Sequence, residues 1–193
     1  MAETRETKRP VDEEELARRR QEARREIHVI GDPLLREHAR DVTEFDRGLR
    51  KLAKRMIRIM KDAPGVGLAA PQIGVLQRLL VYDVDDRPRV LANPVLDDFS
   101  ADTEEADEGC LSVPGVTMPV ERAVSVHVRG VDERGEPVDF VAEGFEARVI
   151  QHEVDHLDGV LIVDRTTRSA RAAALRALRE ADGDPSGPAG GGF

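Results

Sequence analysis

The 193-residue chain contains one cysteine, Cys110, which excludes a fold held together by internal disulfides and favours a reducing compartment such as the cytoplasm. Its net charge of −9 argues against a broad nucleic-acid surface, so we expect no specific DNA binding. No apolar stretch approaches the ~18 residues of a membrane-spanning helix, so we expect no membrane partner either.

The two ends of the chain differ in composition from its middle. Residues 1–26 carry eight Lys/Arg and eight Asp/Glu but almost no large apolar residues. We interpret them as a charged extension, in which 13–26 could form a solvated helix without an apolar face to dock. Residues 183–193 are rich in Gly and Pro, which is typical of a disordered tail. The predicted domain is therefore 27–182.

The first predicted amphipathic helix begins at Thr43, a good N-cap residue, with Asp46 three positions beyond it. Pro64 and Gly65 are predicted to end it, because proline cannot continue the helical hydrogen bonds. The apolar positions recur at helical spacing on one face: Leu49, Leu52, Ala53, Met56, Ile59 and Met60.

The middle of the chain favours strands, followed by helices. Residues 78–84 and 124–128 are rich in β-formers, and 138–145 are predicted to return as a hairpin partner after the turn DERGEP. Helices are predicted over 144–157 and 169–181. The apolar positions of the last helix are Ala172, Leu175 and Leu178. This order predicts an α+β fold, with mixed, mainly antiparallel sheets and a C-terminal helix. The sheets are expected to surround the central helix 144–157, which contains an HExxH sequence at 152–156.

The strongest chemical signal is the stretch HEVDH, from His152 to His156. On a helix two residues four apart lie on one face, so both imidazoles can reach one metal ion, with Glu153 beside its open position. Two core histidines are the alternative, since they continue the face of Phe145 and Val149. Two buried neutral imidazoles would each need a hydrogen-bond partner, whereas one metal ion satisfies both, so we favour the metal site.

Two histidines leave a tetrahedral metal site short of a third protein ligand. A metzincin would have histidine where this chain has Ile162. A gluzincin takes its third ligand from a glutamate on a later helix, but the only later glutamate here, Glu180, lies near the Gly/Pro tail. Cys110 remains. It follows Gly109 in the sequence EGCLS, and a thiolate is a good ligand for zinc or ferrous iron. A buried structural cysteine is the alternative. The predicted metal ligands are Cys110, His152 and His156.

A third segment, GVGLAAPQ over 65–72, superficially matches a dinucleotide-binding fingerprint. That interpretation fails, because the segment follows a helix rather than a strand and Pro71 interrupts any new helix. A plain connecting loop is one alternative. The functional alternative is that the glycines let a peptide substrate lie against the backbone, while Gln72 points its amide at the metal.

Together these segments closely resemble the peptide deformylase family, which shows GxGLAAxQ, EGCLS and QHExDHL in this order. Here the motifs are complete at 65–72, 108–112 and 151–157. The resemblance covers about residues 27–170. Many relatives carry an arginine a few residues after EGCLS, whereas this chain has VPGVTMP there.

The resemblance implies a hydrolase that removes the formyl group from N-formylmethionyl peptides emerging from bacterial ribosomes, whose surface is a further candidate partner. It implies one divalent metal ion, Fe²⁺ in the cell, with Zn²⁺, Ni²⁺ or Co²⁺ as alternatives. Glu153 would move the protons, and the Gln72 amide and Leu111 N–H would stabilise the oxyanion. The peptide would add as an extended strand. The residues implied in substrate binding are Val66, Gly67, Gly109, Phe145 and Val149.

Three other classes of protein compete with this interpretation. A zincin-type endopeptidase shares HExxH, but the third ligand that such enzymes use is missing. A binding protein with a structural metal closes its site with four protein ligands, and three are evident here. A metal-free ribosome-binding module fits the acidic balance least well.

Overall fold

The computed structural model describes residues 13–183. Residues 1–12 of the predicted extension, and all but the first residue of the predicted Gly/Pro tail, lie outside the described residues. Within them, the α-helices are α1 (Glu13–Arg25), α2 (Arg47–Asp62), α3 (Gly144–Leu157), α4 (Ile162–Arg165) and α5 (Arg168–Gly183). The strands are β1 (Gly67–Ala69), β2 (Leu79–Tyr82), β3 (Arg89–Asp97), β4 (Thr103–Cys110), β5 (Val113–Ala123), β6 (Ser125–Val131) and β7 (Pro137–Glu143). Short 3₁₀ helices form at Pro33–Arg36 and Ala70–Ile73.

The larger sheet has five strands in the order β1-β2-β3-β6-β7, and its neighbouring strands are all antiparallel. Because successive residues of a strand point to opposite faces, β2 separates two parts of the core. Leu79 and Val81 pack with residues of α2, whereas Leu80 and Tyr82 pack with residues of α3. The predicted α+β fold, with mainly antiparallel sheets around a central α3, is confirmed.

The second sheet is the hairpin of β4 and β5. Strand β4 runs up to Cys110, which pairs with Val113, so Leu111 and Ser112 form the connection between the strands. Residues of α4 and α5 pack against β5 in a third apolar cluster that includes Met118 and Ala174. Cys110 is thus the last residue of a strand, just before the turn.

Helix α2 begins later than the sequence pattern predicts. Its N-cap is Asp46, whose side chain accepts a hydrogen bond from the backbone N–H of Leu49 at 2.9 Å. The prediction of Thr43 was therefore wrong: Asp46 is the better-placed of two residues that can cap a helix. The helix ends before Pro64 and Gly65 as predicted.

Helix α1 docks on α2 more closely than its composition suggests. Ala23 is fully buried in the core cluster shared with α2, and Arg19 pairs with the buried Asp62. Glu26, just after α1, accepts hydrogen bonds from Arg55 at 2.9 Å and Arg58 at 2.8 Å. The expectation that this segment has no face to dock was wrong, because the buried Ala23 and the ion pairs with α2 are enough to dock it.

At the other end, α5 forms as predicted, and two of its three predicted apolar residues, Leu175 and Leu178, are partly buried. Its buried residue is Ala174, with Ala170 and Leu178 partly buried beside it, whereas Ala172 is exposed.

Across residues 13–183, every helix falls short of the length and apolar character needed to cross a lipid bilayer.

Candidate metal centre

Three of the predicted site residues meet between α3 and the end of β4. His152 and His156 lie on one face of α3, and Cys110 approaches them from β4. The donor atoms of the three side chains all lie within 4.8 Å of one another. Sγ of Cys110 is 3.2 Å from Nε2 of His156, and the centroids of the two imidazole rings are 5.1 Å apart.

The arrangement fits a metal ion. Nδ1 of His152 lies 2.9 Å from Oε2 of Glu108, which leaves Nε2 as the available donor of that ring. A carboxylate on the far ring nitrogen is the arrangement that fixes the tautomer and orientation of metal-binding histidines. One thiolate and two imidazoles suit zinc and ferrous iron, and they leave one position of a tetrahedral site open.

The two imidazoles differ in their electrostatic surroundings. Burial disfavours the charged form of both, yet hydrogen bonds to Cys110 and Glu108 raise the pKa of His152 well above its ordinary value. Burial and the neighbouring charge of His152 hold the pKa of His156 well below its ordinary value. Nδ1 of His156 is buried and has no hydrogen-bond partner among residues 13–183. His156 is therefore a neutral imidazole, which is the form that binds metals.

Glu108 belongs to a buried network of charges. Arg122 donates to both of its carboxylate oxygens at 3.0 Å, and Arg148 donates to Oε1 at 2.9 Å. Arg122 also donates to Asp155 at 2.6 Å. Burial alone would raise the pKa of Glu108, but the hydrogen bonds from His152 and Arg122 lower it to about 2. Glu108 therefore stays anionic and keeps its hydrogen bond to the imidazole.

Glu153 is only 4% exposed and lies between the two histidines in the chain. Its Oε2 has no hydrogen-bond partner in the part of the chain that the structure describes. Burial is the main reason that the pKa of Glu153 is raised to about 7. A carboxyl group with such a pKa can accept and release a proton near neutral pH.

Gly67 makes room for this carboxyl group. A Cβ atom at position 67 would overlap Oε1 of Glu153 and would lie 2.8 Å from its Cδ. Only glycine therefore fits beside Glu153 in this arrangement, which explains a glycine inside the buried strand β1.

Gln72 lies in the 3₁₀ helix Ala70–Ile73 and is 1% exposed. Its Oε1 accepts a hydrogen bond from the backbone N–H of Ala69 at 2.8 Å. The amide nitrogen Nε2 consequently faces the other way, 3.1 Å from Oγ of Ser112 and 3.9 Å from Sγ of Cys110. The structure thus brings the Gln72 amide to the candidate metal centre.

Strand β1 lies at the edge of the larger sheet, and this edge borders the site. The carbonyl of Val66 accepts a hydrogen bond from the N–H of Asp83. Hydrogen-bonded and non-hydrogen-bonded pairs alternate along antiparallel strands, so the N–H and C=O of the next residue, Gly67, point away from β2 and toward the free edge. A Cβ atom on Gly65 would lie 2.8 Å from Cδ1 of Leu111. The segment before β1 and the turn after β4 therefore touch.

The remaining residues implied in substrate binding surround the same region. Gly109 precedes Cys110 at an irregularity in the pairing of β4 with β5. Val149 is 5% exposed, whereas Phe145 is 57% exposed on the same face of α3 as His152, and Val66 is 41% exposed. Two apolar side chains are therefore open to solvent near the candidate centre.

A second group of donor atoms, from Asp97, Asp98 and His127, also lies within 4.8 Å. Both ring nitrogens of His127 already have partners, Asp97 and Asp139, each at 2.8 Å. These hydrogen bonds raise the pKa of His127, and Arg129 pairs with Asp97 as well. The group is a surface ion-pair cluster with no lone pair left on the imidazole.

Several residues around the candidate centre were missed in the sequence. Glu108 and Ser112 flank Cys110 within EGCLS, so their place in the motif was a usable signal. Arg148 lies one turn before His152, and a charged residue on the buried side of α3 was another signal. Arg122 lies inside β5 with no local feature that connects it to the site.

Comparisons with known proteins match most of the chain. A model of the polypeptide deformylase family matches residues 24–172, which include every residue of the candidate centre. The peptide deformylase of Acidothermus cellulolyticus is 52% identical over 158 residues, covering 82% of this chain and 87% of that relative.

Solved structures show the same similarity in three dimensions. The crystal structure of peptide deformylase from Thermotoga maritima has a TM-score of 0.72 at 48% identity, covering 73% of this chain and 96% of that one. The peptide deformylase from Synechococcus elongatus in complex with actinonin has a TM-score of 0.77 at 40% identity, covering 93% of this chain and 91% of that one.

Proposed function

The chain belongs to the polypeptide deformylase family, and from this premise we propose which of its residues bind the metal ion, move the proton and hold the substrate. The protein is a metal-dependent hydrolase that removes the N-formyl group from nascent peptides. The products of this reaction are formate and a free N-terminal amine.

The proposed metal ligands are Cys110, His152 and His156. The single observation that carries this assignment is the convergence of their donor atoms within 4.8 Å, with Glu108 on the far nitrogen of His152. Such a donor set accepts Fe²⁺, Zn²⁺, Ni²⁺ or Co²⁺, and the family resemblance favours Fe²⁺ in the cell. When bound, the ion lowers the pKa of a water molecule and polarises the carbonyl to be attacked.

We assign the proton transfers to Glu153. Its carboxyl group accepts a proton from the attacking water and delivers it to the nitrogen of the leaving peptide. Burial and the pKa of about 7 support this role, because the group then exchanges protons at neutral pH. Gly67 keeps that carboxyl group close to the edge of β1, where the substrate would lie.

The oxygen of the attacked carbonyl gains negative charge and needs hydrogen-bond donors. We assign this task to the side-chain amide of Gln72 and the backbone N–H of Leu111. The direction of the Gln72 amide supports the first assignment, since Ala69 holds its oxygen and leaves Nε2 toward Cys110.

The substrate would bind as an extra strand between the free edge of β1 and the end of β4. Gly67 turns its N–H and C=O toward that free edge, with Val66 just before it, and Gly109 is the last residue before Cys110 in β4. The methionine side chain would pack between Phe145 and Val149, because α3 presents both beside His152.

We place this activity in the bacterial cytoplasm, where formylated nascent peptides occur. The ribosome surface is then the natural place to meet them. The single cysteine suits a reducing compartment.

Metal analysis of anaerobically purified protein, paired with formate release from formyl-Met-Ala-Ser, tests the assignment. Cys110→Ala, His152→Ala and His156→Ala should each lose tight metal binding and formate release together. His38→Ala is the matched control, because His38 is exposed and is not one of the three residues whose donor atoms converge. Unchanged metal content in Cys110→Ala would remove Cys110 from the ligand set.

A further inference from the structure

The orientation of the Gln72 amide depends on two contacts on opposite sides of it. The backbone N–H of Ala69 is always a donor, so the atom it meets at 2.8 Å must be the amide oxygen. The NH₂ group is therefore the end that lies 3.1 Å from Oγ of Ser112. Ser112 must accept this hydrogen bond, since an NH₂ group has no lone pair to offer.

An NH₂ group has two hydrogens, and Ser112 takes only one of them. The second hydrogen remains for the side of Nε2 that faces Cys110, whose Sγ is 3.9 Å away. Ser112 thus fixes the rotation of the amide about its last side-chain bond and leaves one N–H directed at the reacting region. Both side chains are buried, Gln72 at 1% and Ser112 at 0% exposure, so water does not replace this contact.

The backbone around the pair is also fixed. The N–H of His28 donates to the carbonyl of Gln72 at 2.8 Å, and the N–H of Ile30 donates to the carbonyl of Ser112 at 2.7 Å. One short segment, 28–30, therefore bridges the chain at Gln72 to the chain at Ser112. Their separation does not depend on the side-chain contact alone, so removal of the Ser112 hydroxyl should leave the backbone in place.

We propose that Ser112 is a positioning residue for the reaction: its hydroxyl holds the Gln72 amide so that one N–H meets the developing oxyanion. This inference rests on the proposed role of Gln72 as an oxyanion donor. Ser112 itself contributes none of the converging donor atoms.

A double-mutant cycle tests the proposal, with kcat and KM for formyl-Met-Ala-Ser measured in four proteins: wild type, Gln72→Ala, Ser112→Ala and the double variant. Loss of an oxyanion donor costs roughly 10²–10³-fold in kcat, which is the expectation for Gln72→Ala. In Ser112→Ala the Gln72 amide remains but is no longer held in position, so it stabilises the oxyanion only in part. This variant should therefore lower kcat about 10-fold and leave KM within about twofold.

In the Gln72→Ala background, Ser112→Ala should change kcat by less than about twofold, because the group it positions is gone. Ser112→Thr keeps a hydroxyl and should restore most of kcat. The metal content should equal that of wild type in all variants. Ser125→Ala, which removes a partly buried hydroxyl from β6, should leave kcat and KM unchanged.

Three results would overturn the proposal: wild-type kcat in Ser112→Ala, an equal loss from Ser112→Ala with and without Gln72, or no loss in Gln72→Ala itself. An equal loss in both backgrounds, together with a reduced metal content, would mean that Ser112 acts through Cys110 instead. A wild-type protein that releases no formate would refute the proposed reaction as a whole, and that result is visible before any variant is compared.

Discussion

Oε2 of Glu108 lies 2.9 Å from Nδ1 of His152, and the same carboxylate accepts hydrogen bonds from Arg122 and Arg148. A histidine ligand held in this way presents its other nitrogen in one fixed direction. The buried arginines keep the carboxylate ionised and in place, so in the proposed metal site they would help to orient the ligand His152 without being ligands themselves.

Glu108→Gln should therefore weaken metal binding by about 10–100-fold, because a neutral amide is a poorer acceptor for the imidazole N–H. Competition with a chelator, followed by metal analysis, measures this change. Glu105→Gln is the matched control, since Glu105 is exposed on the same strand. Equal metal affinities in the two variants would show that the hydrogen bond does not orient His152.

Glu153→Ala should keep the metal ion but lose turnover by roughly 10²–10⁴-fold, because it removes the carboxyl group that we propose carries the proton. Formate release and metal content should be measured on the same sample. Glu143→Ala changes an exposed glutamate just before α3 and should behave as wild type. Activity within a few-fold of wild type in Glu153→Ala would mean that another residue transfers the proton.

Gly67→Ala should disturb the same carboxyl group without changing its chemistry. The added methyl group would overlap Oε1 of Glu153, so either the side chain or strand β1 must move. We expect a loss of kcat of about 10²-fold, since displacements of about 1 Å at a reacting group have effects of this size. Metal content should not change. Wild-type kcat in Gly67→Ala would contradict the close packing of Gly67 on Glu153.

A chain shortened to residues 27–182 should fold and turn over normally. Loss of α1 removes the buried Ala23 from the core cluster it shares with α2 and breaks the ion pair of the partly exposed Arg19 with the buried Asp62. Arg58 remains near that carboxylate, so we expect a cost of about 1–2 kcal/mol. The thermal midpoint should therefore fall by about 2–8 °C. Calorimetry of the shortened and full-length chains measures it.

Two full-length variants test whether a lower thermal midpoint results from undocking of α1 rather than from shortening of the chain. Ala23→Asp places a charge at a fully buried contact and should lower the thermal midpoint by a similar amount, whereas Ala17→Asp lies on the exposed side of α1 and should not. A shortened chain that fails to fold would show that the domain begins before residue 27.

The enzyme should act on formyl but hardly on acetyl groups. Gly109, Cys110 and Leu111 place the proposed ligand and one oxyanion donor a single residue apart, which leaves little room around the attacked carbon. A methyl clash there costs about 1–3 kcal/mol if it resembles overpacking of a core, or roughly 10–100-fold in rate. The lower reactivity of the acetyl carbonyl adds to this difference.

Formyl-Met-Ala-Ser and acetyl-Met-Ala-Ser should be incubated with enzyme loaded with Fe²⁺ or Co²⁺, and the products identified by mass spectrometry. We expect formate from the first peptide, little acetate from the second, and an intact Met-Ala bond in both. Cleavage of Met-Ala would instead indicate an endopeptidase. No reaction of either peptide would indicate a structural metal.

The parts of the fold and site that were predictable are those with a local signal. Helix α3 was predicted over its full observed range, because the pattern is apolar on one face and glycines mark both ends. Cys110 was linked to the histidines because the other sources of a third metal ligand could be rejected and a thiolate is a good ligand. Arg122 was not, because its position next to Glu108 depends on the pairing of β4 with β5. Strand β4 itself was missed because its sequence, TEEADEGC, is polar and mostly exposed.

Under the proposed binding mode, the edge of β1 also limits the period during which the enzyme can act on a nascent chain. An edge that pairs with a peptide backbone requires that backbone to be extended and free of other hydrogen bonds. A nascent chain meets this condition only until its first residues are taken up into a helix, a strand or a buried terminus. Deformylation must then occur before the N-terminus of the substrate folds. Proteins whose N-terminus folds late should therefore keep the formyl group least often.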